Sequence, residues 1–294
     1  MKEKVSLSLK ALFALMITVV MFLTLTACGD NGLGEAKLDV SGDYQACDEA
    51  SVNELQTFVA SEEVANAIKE VKGLKMSMEI TSETKGTDDT VSTESMKVTA
   101  VSKYTDENTY EVYVSINMNA GDSGEAVSEF YVNANKEVTK MYIHAQNDKL
   151  NKNIKVSMSS ENELAKTFIK EFKSTIEQYS TQIDTKNIDI TSQVMELIES
   201  SSAFSKAVSG DVTKYKFESE AAGSETYIVF NKNAFQGIKV ITENEYLGAT
   251  TKTTSTLVVF NDGFSFDTNG YTELSTLEDF ANFAKEMGSE NSAA

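Results

Sequence analysis

The sequence predicts an α+β fold: a large curved antiparallel β-sheet, half-barrel-like, covered by several helices. Three observations predict it. Long stretches alternate apolar and polar residues with a period of two; short turns rich in Gly, Asn and Asp separate them; and they come in two runs, broken by segments whose apolar residues recur every three or four positions. Short connections between alternating strands make antiparallel hairpins, and the lack of β-α-β alternation excludes a doubly wound sheet.

The first element is a targeting segment. Lys2, Lys4 and Lys10 precede or open an uncharged run from Ala11 to Thr26 that includes Leu12, Phe13, Leu15, Ile17, Val19 and Phe22. A helix crossing the bilayer needs roughly 20 apolar residues, and this core is shorter, as in a secretory signal. It ends in Leu25-Thr26-Ala27-Cys28 with Gly29 behind it. That tetrapeptide resembles the lipobox of bacterial lipoproteins. The resemblance implies lipid attachment at the Cys28 thiol as a diacylglyceryl cysteine, removal of residues 1–27, and a place on the extracytoplasmic face of the cell membrane. Two acyl chains, at about 0.8 kcal/mol per buried methylene, suffice for stable anchoring. Residues 28–50 hold Gly29, Gly32, Gly34 and Gly42 with few large apolar groups, and predict a flexible tether.

A single domain follows over 51–288, with 289–294 as a disordered tail. Val52, Leu55 and Val59, then Val64, Ile68 and Val71 after the cap Ser61, have helical spacing that stops at Gly73. The period becomes two at Leu74, Met76, Met78 and Ile80. It stays two through Met96 to Ala100, Tyr110 to Met118, Phe130 to Ala134 and Met141 to Met158. Ser160-Glu161-Asn162-Glu163 has the spacing of a capping box, ahead of an apolar stripe at Leu164, Phe168, Phe172, Ile176 and Tyr179. Another helix is expected from Thr191 or Ser192 through Val194, Leu197, Ile198 and Phe204 towards Gly210. Strands resume over 212–218, 225–230, 235–246 and 250–260, and Thr276 caps a last helix through Phe280, Phe283 and Met287.

The charge excludes one class of partner. The net charge is -19, and all 26 basic residues are lysine. An acidic chain without the planar arginine fork repels nucleic acid, so no nucleic-acid partner is expected.

Nothing converges on catalysis. His144 is the only histidine, so a histidine-dependent triad or metal site must use it. Gly121-Asp122-Ser123-Gly124 matches part of a serine-nucleophile motif, but His144 follows the serine, and the tetrapeptide reads better as a hairpin loop. Ser82-Glu83-Thr84-Lys85 has Ser-x-x-Lys spacing, yet it closes a period-two run, where residues three apart face opposite ways. Asp267-Thr268-Asn269-Gly270 has the centre of a calcium loop but Thr276 where the closing acid belongs. Cys47 is a lone thiol once Cys28 is acylated. The expectation is no enzyme, no cofactor and no metal.

The layout of the mature chain resembles the LolA-like and LppX-like lipoprotein carriers over about residues 51–288. The residues carrying the resemblance are the helix from Glu62 to Lys72 running into Leu74-Lys75-Met76-Ser77-Met78-Glu79-Ile80, the Glu129-Phe130-Tyr131-Val132 hairpin with Met141-Tyr142-Ile143, and the late strands ending at Phe264 to Tyr271. The resemblance implies non-enzymatic binding of a lipid or other apolar ligand in a cavity between sheet and helices, lined by Phe168, Phe172, Ile176, Met76, Met78, Val112 and Val114. The alternative is an envelope interaction protein with a filled core, a protein partner and no small-molecule ligand.

Overall fold

A computed structural model describes residues 33–85, 91–106, 109–119, 124–134, 139–147, 152–163, 165–166, 169, 190–219, 223–246, 249–261 and 263–288. After the short strand β1 (Gln45–Ala46) come helices α1 (Glu49–Val59) and α2 (Glu62–Lys69). A meander follows: β2 (Gly73–Lys85), β3 (Val91–Asp106), β4 (Thr109–Asn119), β5 (Glu125–Ala134), β6 (Thr139–Asn147) and β7 (Lys152–Ser159). Helix α3 (Ile190–Ser200) leads to a second meander: β8 (Ala203–Ser209), β9 (Val212–Ser219), β10 (Ser224–Asn231), β11 (Ala234–Tyr246) and β12 (Ala249–Phe260). The short β13 (Thr272–Glu273) and α4 (Leu277–Gly288) close the chain.

The two meanders fuse through β12 and β2 into one 13-stranded sheet, ordered β1-β8-β9-β10-β11-β12-β2-β3-β4-β5-β6-β7-β13. β13 runs parallel to β7, so the sheet is mixed. Each long edge, β8 and β7, carries a two-residue strand, which shortens the open template that unpaired strands offer to other chains.

This corrects the expected fold class. The protein is mostly one large mixed sheet, and the described residues hold four short helices of 11, 8, 11 and 12 residues, not an antiparallel half-barrel covered by helices. Part of the reason lies after α3. Ser200 Oγ and Ser201 Oγ donate back to the carbonyls of Glu196 (2.7 Å) and Leu197 (2.5 Å), a local bonding that competes with helix continuation. Phe204 to Gly210, expected to extend that helix, instead enters β8 and its turn, with Phe204 stacked on Phe217 at 5.0 Å.

The helices pack near the two ends of one sheet face. At one end Leu55 and Val59 of α1, Val64 and Ile68 of α2 and Ile190 and Val194 of α3 bury against Tyr215, Phe217, Ile228 and Phe230. Asp48 and Ser61 cap α1 and α2 by accepting from Ser51 N and Val64 N, as expected for Ser61 from the sequence. At the other end Phe280 and Phe283 of α4, with Ala165 and Ile169, cover Phe130, Met141, Ile143 and Met158. Thr276 and Asp279 cap α4 reciprocally: Asp279 N donates to Thr276 Oγ1 (3.1 Å) and Thr276 N to Asp279 Oδ2 (2.7 Å). Each large side chain buried in these clusters contributes about 1.5–3 kcal/mol. Gly237 on β11 has no room for a side chain, because a Cβ there would collide with the Leu257 carbonyl oxygen.

Register sorts the residues of the two faces. A transverse row of Met76, Ala100, Val114, Phe130 and Ile143 crosses the helix-bearing face. One residue along each strand, Ser77, Thr99, Ser115, Glu129, His144 and Lys155 form the matching row on the opposite face. A strand turns successive side chains to opposite faces, so an apolar row has a polar row behind it.

Candidate binding site

The polar face is built over by two irregular segments. The first is residues 33–44, which the sequence assigns to a flexible tether. In the structure this strap is docked. Ala36 is 7% exposed, and its N–H donates to Ser77 Oγ at 2.7 Å. Ser77 Oγ also shares a hydrogen bond with Thr99 Oγ1. Lys97 Nζ reaches Glu35 (2.6 Å) and Glu79 (3.4 Å). Farther along, Lys214 Nζ donates to Asp39 Oδ2 (2.6 Å) and to the Ser41 carbonyl (2.7 Å). The strap ends by pairing β1 with β8. Sequence reasoning sees a glycine-rich segment; the contacts that hold it come from strands distant in the chain.

The second segment runs from the end of β12 to Tyr271. Phe266 stacks on Tyr131 with ring centroids 4.4 Å apart, Phe264 meets the same ring edge-on at 6.3 Å, and Tyr271 stands edge-on to Tyr142 at 5.3 Å. Tyr113, Tyr131 and Tyr142 are register neighbours on β4, β5 and β6, so consecutive strands supply one aromatic wall.

Between the strap and this segment lies a cleft of about 280 Å³. Its floor is Thr99, Tyr113, Ser115, Asn117 and Glu129, and its walls are Leu33, Gly34, Glu35, Lys97, Lys155, Phe266, Asp267 and Tyr271. A cavity of about 350 Å³, lined by Lys37, Leu38, Asp39, Ser77, Glu79, Lys239, Thr254 and Thr256, adjoins the strap; Glu35 and Lys97 line both spaces.

A buried hydrogen-bonded chain supports the floor. Tyr113 OH donates to Glu129 Oε1 at 2.5 Å, and His144 Nδ1 lies 2.5 Å from Glu129 Oε2, with Nε2 3.1 Å from Asn153 Oδ1. Burial alone would raise the Glu129 pKa; hydrogen bonds from His144 and Tyr113 outweigh it and hold the carboxyl below its ordinary range. The carboxylate can only accept, so His144 Nδ1 carries the proton of that contact. Burial, followed by the neighbouring Glu129 charge, pushes the Tyr113 hydroxyl far up, which keeps it a neutral donor. Beside this chain, Tyr131 OH and Asn133 Nδ2 both donate to Glu111 Oε1.

No family model matches this chain, and no curated protein matches it. The reading of the cleft rests on its own residues.

The candidates picked out by sequence divide between the two faces. Met76, Met78 and Val114 are half-buried and Val112 is buried, all on the helix-bearing face; none of the four lines either cavity described above. Phe168, Phe172 and Ile176 lie outside the described residues, as do Cys28 and Ser123. Ser82 and Lys85 sit on β2, so the Ser-x-x-Lys spacing falls on a strand and not on a helical turn. Asp267 Oδ1 accepts from Asn269 N (3.0 Å) and Nδ2 (2.7 Å), an Asx turn closed by Gly270 at φ 79°; no cluster of metal-ligating side chains occurs among the described residues. Cys47 is half-buried after β1, and burial pushes its thiol pKa up, the opposite of an activated thiolate.

The sequence singles out His144 but not its partners Glu129, Tyr113 and Asn153, nor Asn117 on the floor of the cleft. The available signal was register. Glu129 and His144 stand equally far from the ends of the β5–β6 hairpin, so pairing outward from that turn sets them opposite each other.

Proposed function

We propose that this chain is a bacterial lipoprotein anchored through Cys28 to the extracytoplasmic face of the cell membrane, and that its sheet is a non-enzymatic module binding a small ligand in the strap-side cleft. The Leu25-Thr26-Ala27-Cys28 resemblance supports the anchor. The docked strap supports a short leash: from Cys28 to Leu33 the chain takes five Cα steps, at most about 19 Å at 3.8 Å each. The cleft then opens close to the headgroups.

The observation that carries the binding reading is the cleft itself, with its floor fixed by the Tyr113–Glu129–His144 chain and its wall by the Tyr131–Phe266 stack. Convergent polar groups on a rigid floor beside aromatic rings are what a small-molecule site requires. His144 favours a structural rather than a catalytic role, since it is 4% exposed and both ring nitrogens are engaged. A polar ligand is preferred to the apolar one expected from the resemblance, because both cavities lie on the polar face.

Detergent phase partitioning of the full chain tests the anchor: Cys28→Ala moves the protein into the aqueous phase, and unchanged partitioning rejects it. A melting screen against small solutes tests the cleft. A ligand at a hundredfold excess over its Kd adds about 2.7 kcal/mol, a rise of roughly 5–10 °C for a domain of this size. Gly34→Phe, which fills the cleft from its rim, abolishes that rise. No rise with any solute, together with capture of an envelope protein partner, would favour the alternative of an envelope interaction protein without a small-molecule ligand.

A further inference from the structure

We propose that the cleft takes an uncharged, hydroxyl-rich ring: a saccharide unit of about monosaccharide size. The inference rests on the reading of the cleft as a binding site and adds the ligand's chemical class.

The charges that line the cleft are largely spent on one another. Lys97 is held by Glu35 and Glu79, Glu129 by His144 and Tyr113, and Asp267 Oδ1 by its own Asx turn. Lys155 has no ion-pair partner among the described residues and stands 5.6 Å over the Tyr271 ring. An anion drawn to Lys155 would share the cleft with Glu35, Glu129 and Asp267, and a cation would share it with Lys97 and Lys155. An ion leaving water for this cleft meets charge of its own sign as well as of the opposite sign, which offsets what Lys155 or Asp267 would contribute to holding it. A neutral ligand meets no such penalty.

The hydrogen-bonding groups are not spent. Asn117 lines the cleft, its side-chain amide makes no hydrogen bond among the described residues, and its Oδ1, shielded from solvent as it stands, is an unpaired acceptor that a turn about Cβ–Cγ brings to the cleft. A ligand O–H satisfies it. Tyr271 lines the same cleft, and its hydroxyl, with no hydrogen bond among the described residues, can donate to or accept from a second O–H. Phe266 and Tyr271 present ring surface on which the C–H face of a sugar packs while its hydroxyls turn to the floor. At roughly 30 Å³ per water, 280 Å³ holds about nine waters, the scale of one sugar ring.

The test uses the full chain in a detergent without a sugar headgroup. Glucose, galactose and N-acetylglucosamine are titrated by calorimetry and saturation-transfer NMR, beside glycine, glutamate and glucose 6-phosphate. At least one neutral sugar binds, and Asn117→Leu, which removes the orphan acceptor at similar volume, weakens it tenfold or more. Tyr271→Phe weakens it several-fold with melting unchanged, and Gly34→Phe abolishes it. If a charged probe binds, no neutral sugar does, and Gly34→Phe removes that binding, the saccharide class falls and the binding cleft stands. If no probe binds, or sugar binding survives both Asn117→Leu and Gly34→Phe, the saccharide proposal is overturned, and in the first case the binding reading loses its support as well.

Discussion

His144 Nδ1 lies 2.5 Å from Glu129 Oε2, across the β5–β6 pair. The contact sets a pH dependence. The Glu129 pKa is depressed below 4.5 in the folded chain. Its contribution is therefore complete above that value and is lost as pH falls through the folded pKa. Glu129→Gln costs about 1–2 kcal/mol at pH 7, and its deficit against the wild type shrinks below pH 4.5. His144→Leu costs more, about 3 kcal/mol, since it strands a largely buried carboxylate. Urea unfolding at pH 7 and pH 3.5 reads both; a deficit for Glu129→Gln that grows in acid contradicts the assignment.

The strap is tied down at Lys214, which is 7% exposed and donates to Asp39 and to the Ser41 carbonyl. Lys214→Met removes both bonds and keeps the packing of the stem. Strap residues then exchange amide protons faster, and cleavage after Lys37 precedes cleavage elsewhere in limited trypsin digestion. The hydrogen bond from Lys214 holds the Asp39 carboxyl well below its ordinary value of 3.8. The wild-type strap therefore loosens in the same way as pH falls below that range. Identical digestion patterns for wild type and variant would exclude this tie.

Ser102 Oγ is buried on the helix-bearing face, at register positions facing Leu74 and Val112, without a hydrogen-bond partner. Removing an unsatisfied hydroxyl relieves its desolvation cost. Ser102→Ala stabilises the protein by about 1 kcal/mol, measured as a rise in the denaturant midpoint at unchanged slope; a loss of stability would show that the hydroxyl has a partner.

Much of the framework was legible in the chain. The strands from Leu74 to Met158 and from Val212 to Phe260 follow the period-two pattern, and Ser61 and Thr276 cap the helices they were expected to cap. The cap ahead of the apolar stripe was misplaced by two residues: Asn162 Oδ1 accepts from Ala165 N, and Asn162 Nδ2 donates to the Ser275 carbonyl. A capping box describes local spacing, and a contact with a segment more than a hundred residues away chose the other side chain.

Alternation by itself determines which residues share a face, because successive strand side chains point opposite ways whatever the neighbours are. The polar identity of the row through Ser77, Thr99, Ser115 and Glu129 was thus set by sequence alone. Which strands stand side by side is a non-local choice. Nothing near Phe260 announces that β12 pairs with β2, bringing Phe260 opposite Gly73, or that a glycine-rich leader docks on Ser77 and Lys214. Those pairings decide where the cleft lies. They depend on burial and hydrogen bonds between residues far apart in the chain, which local periodicity does not encode.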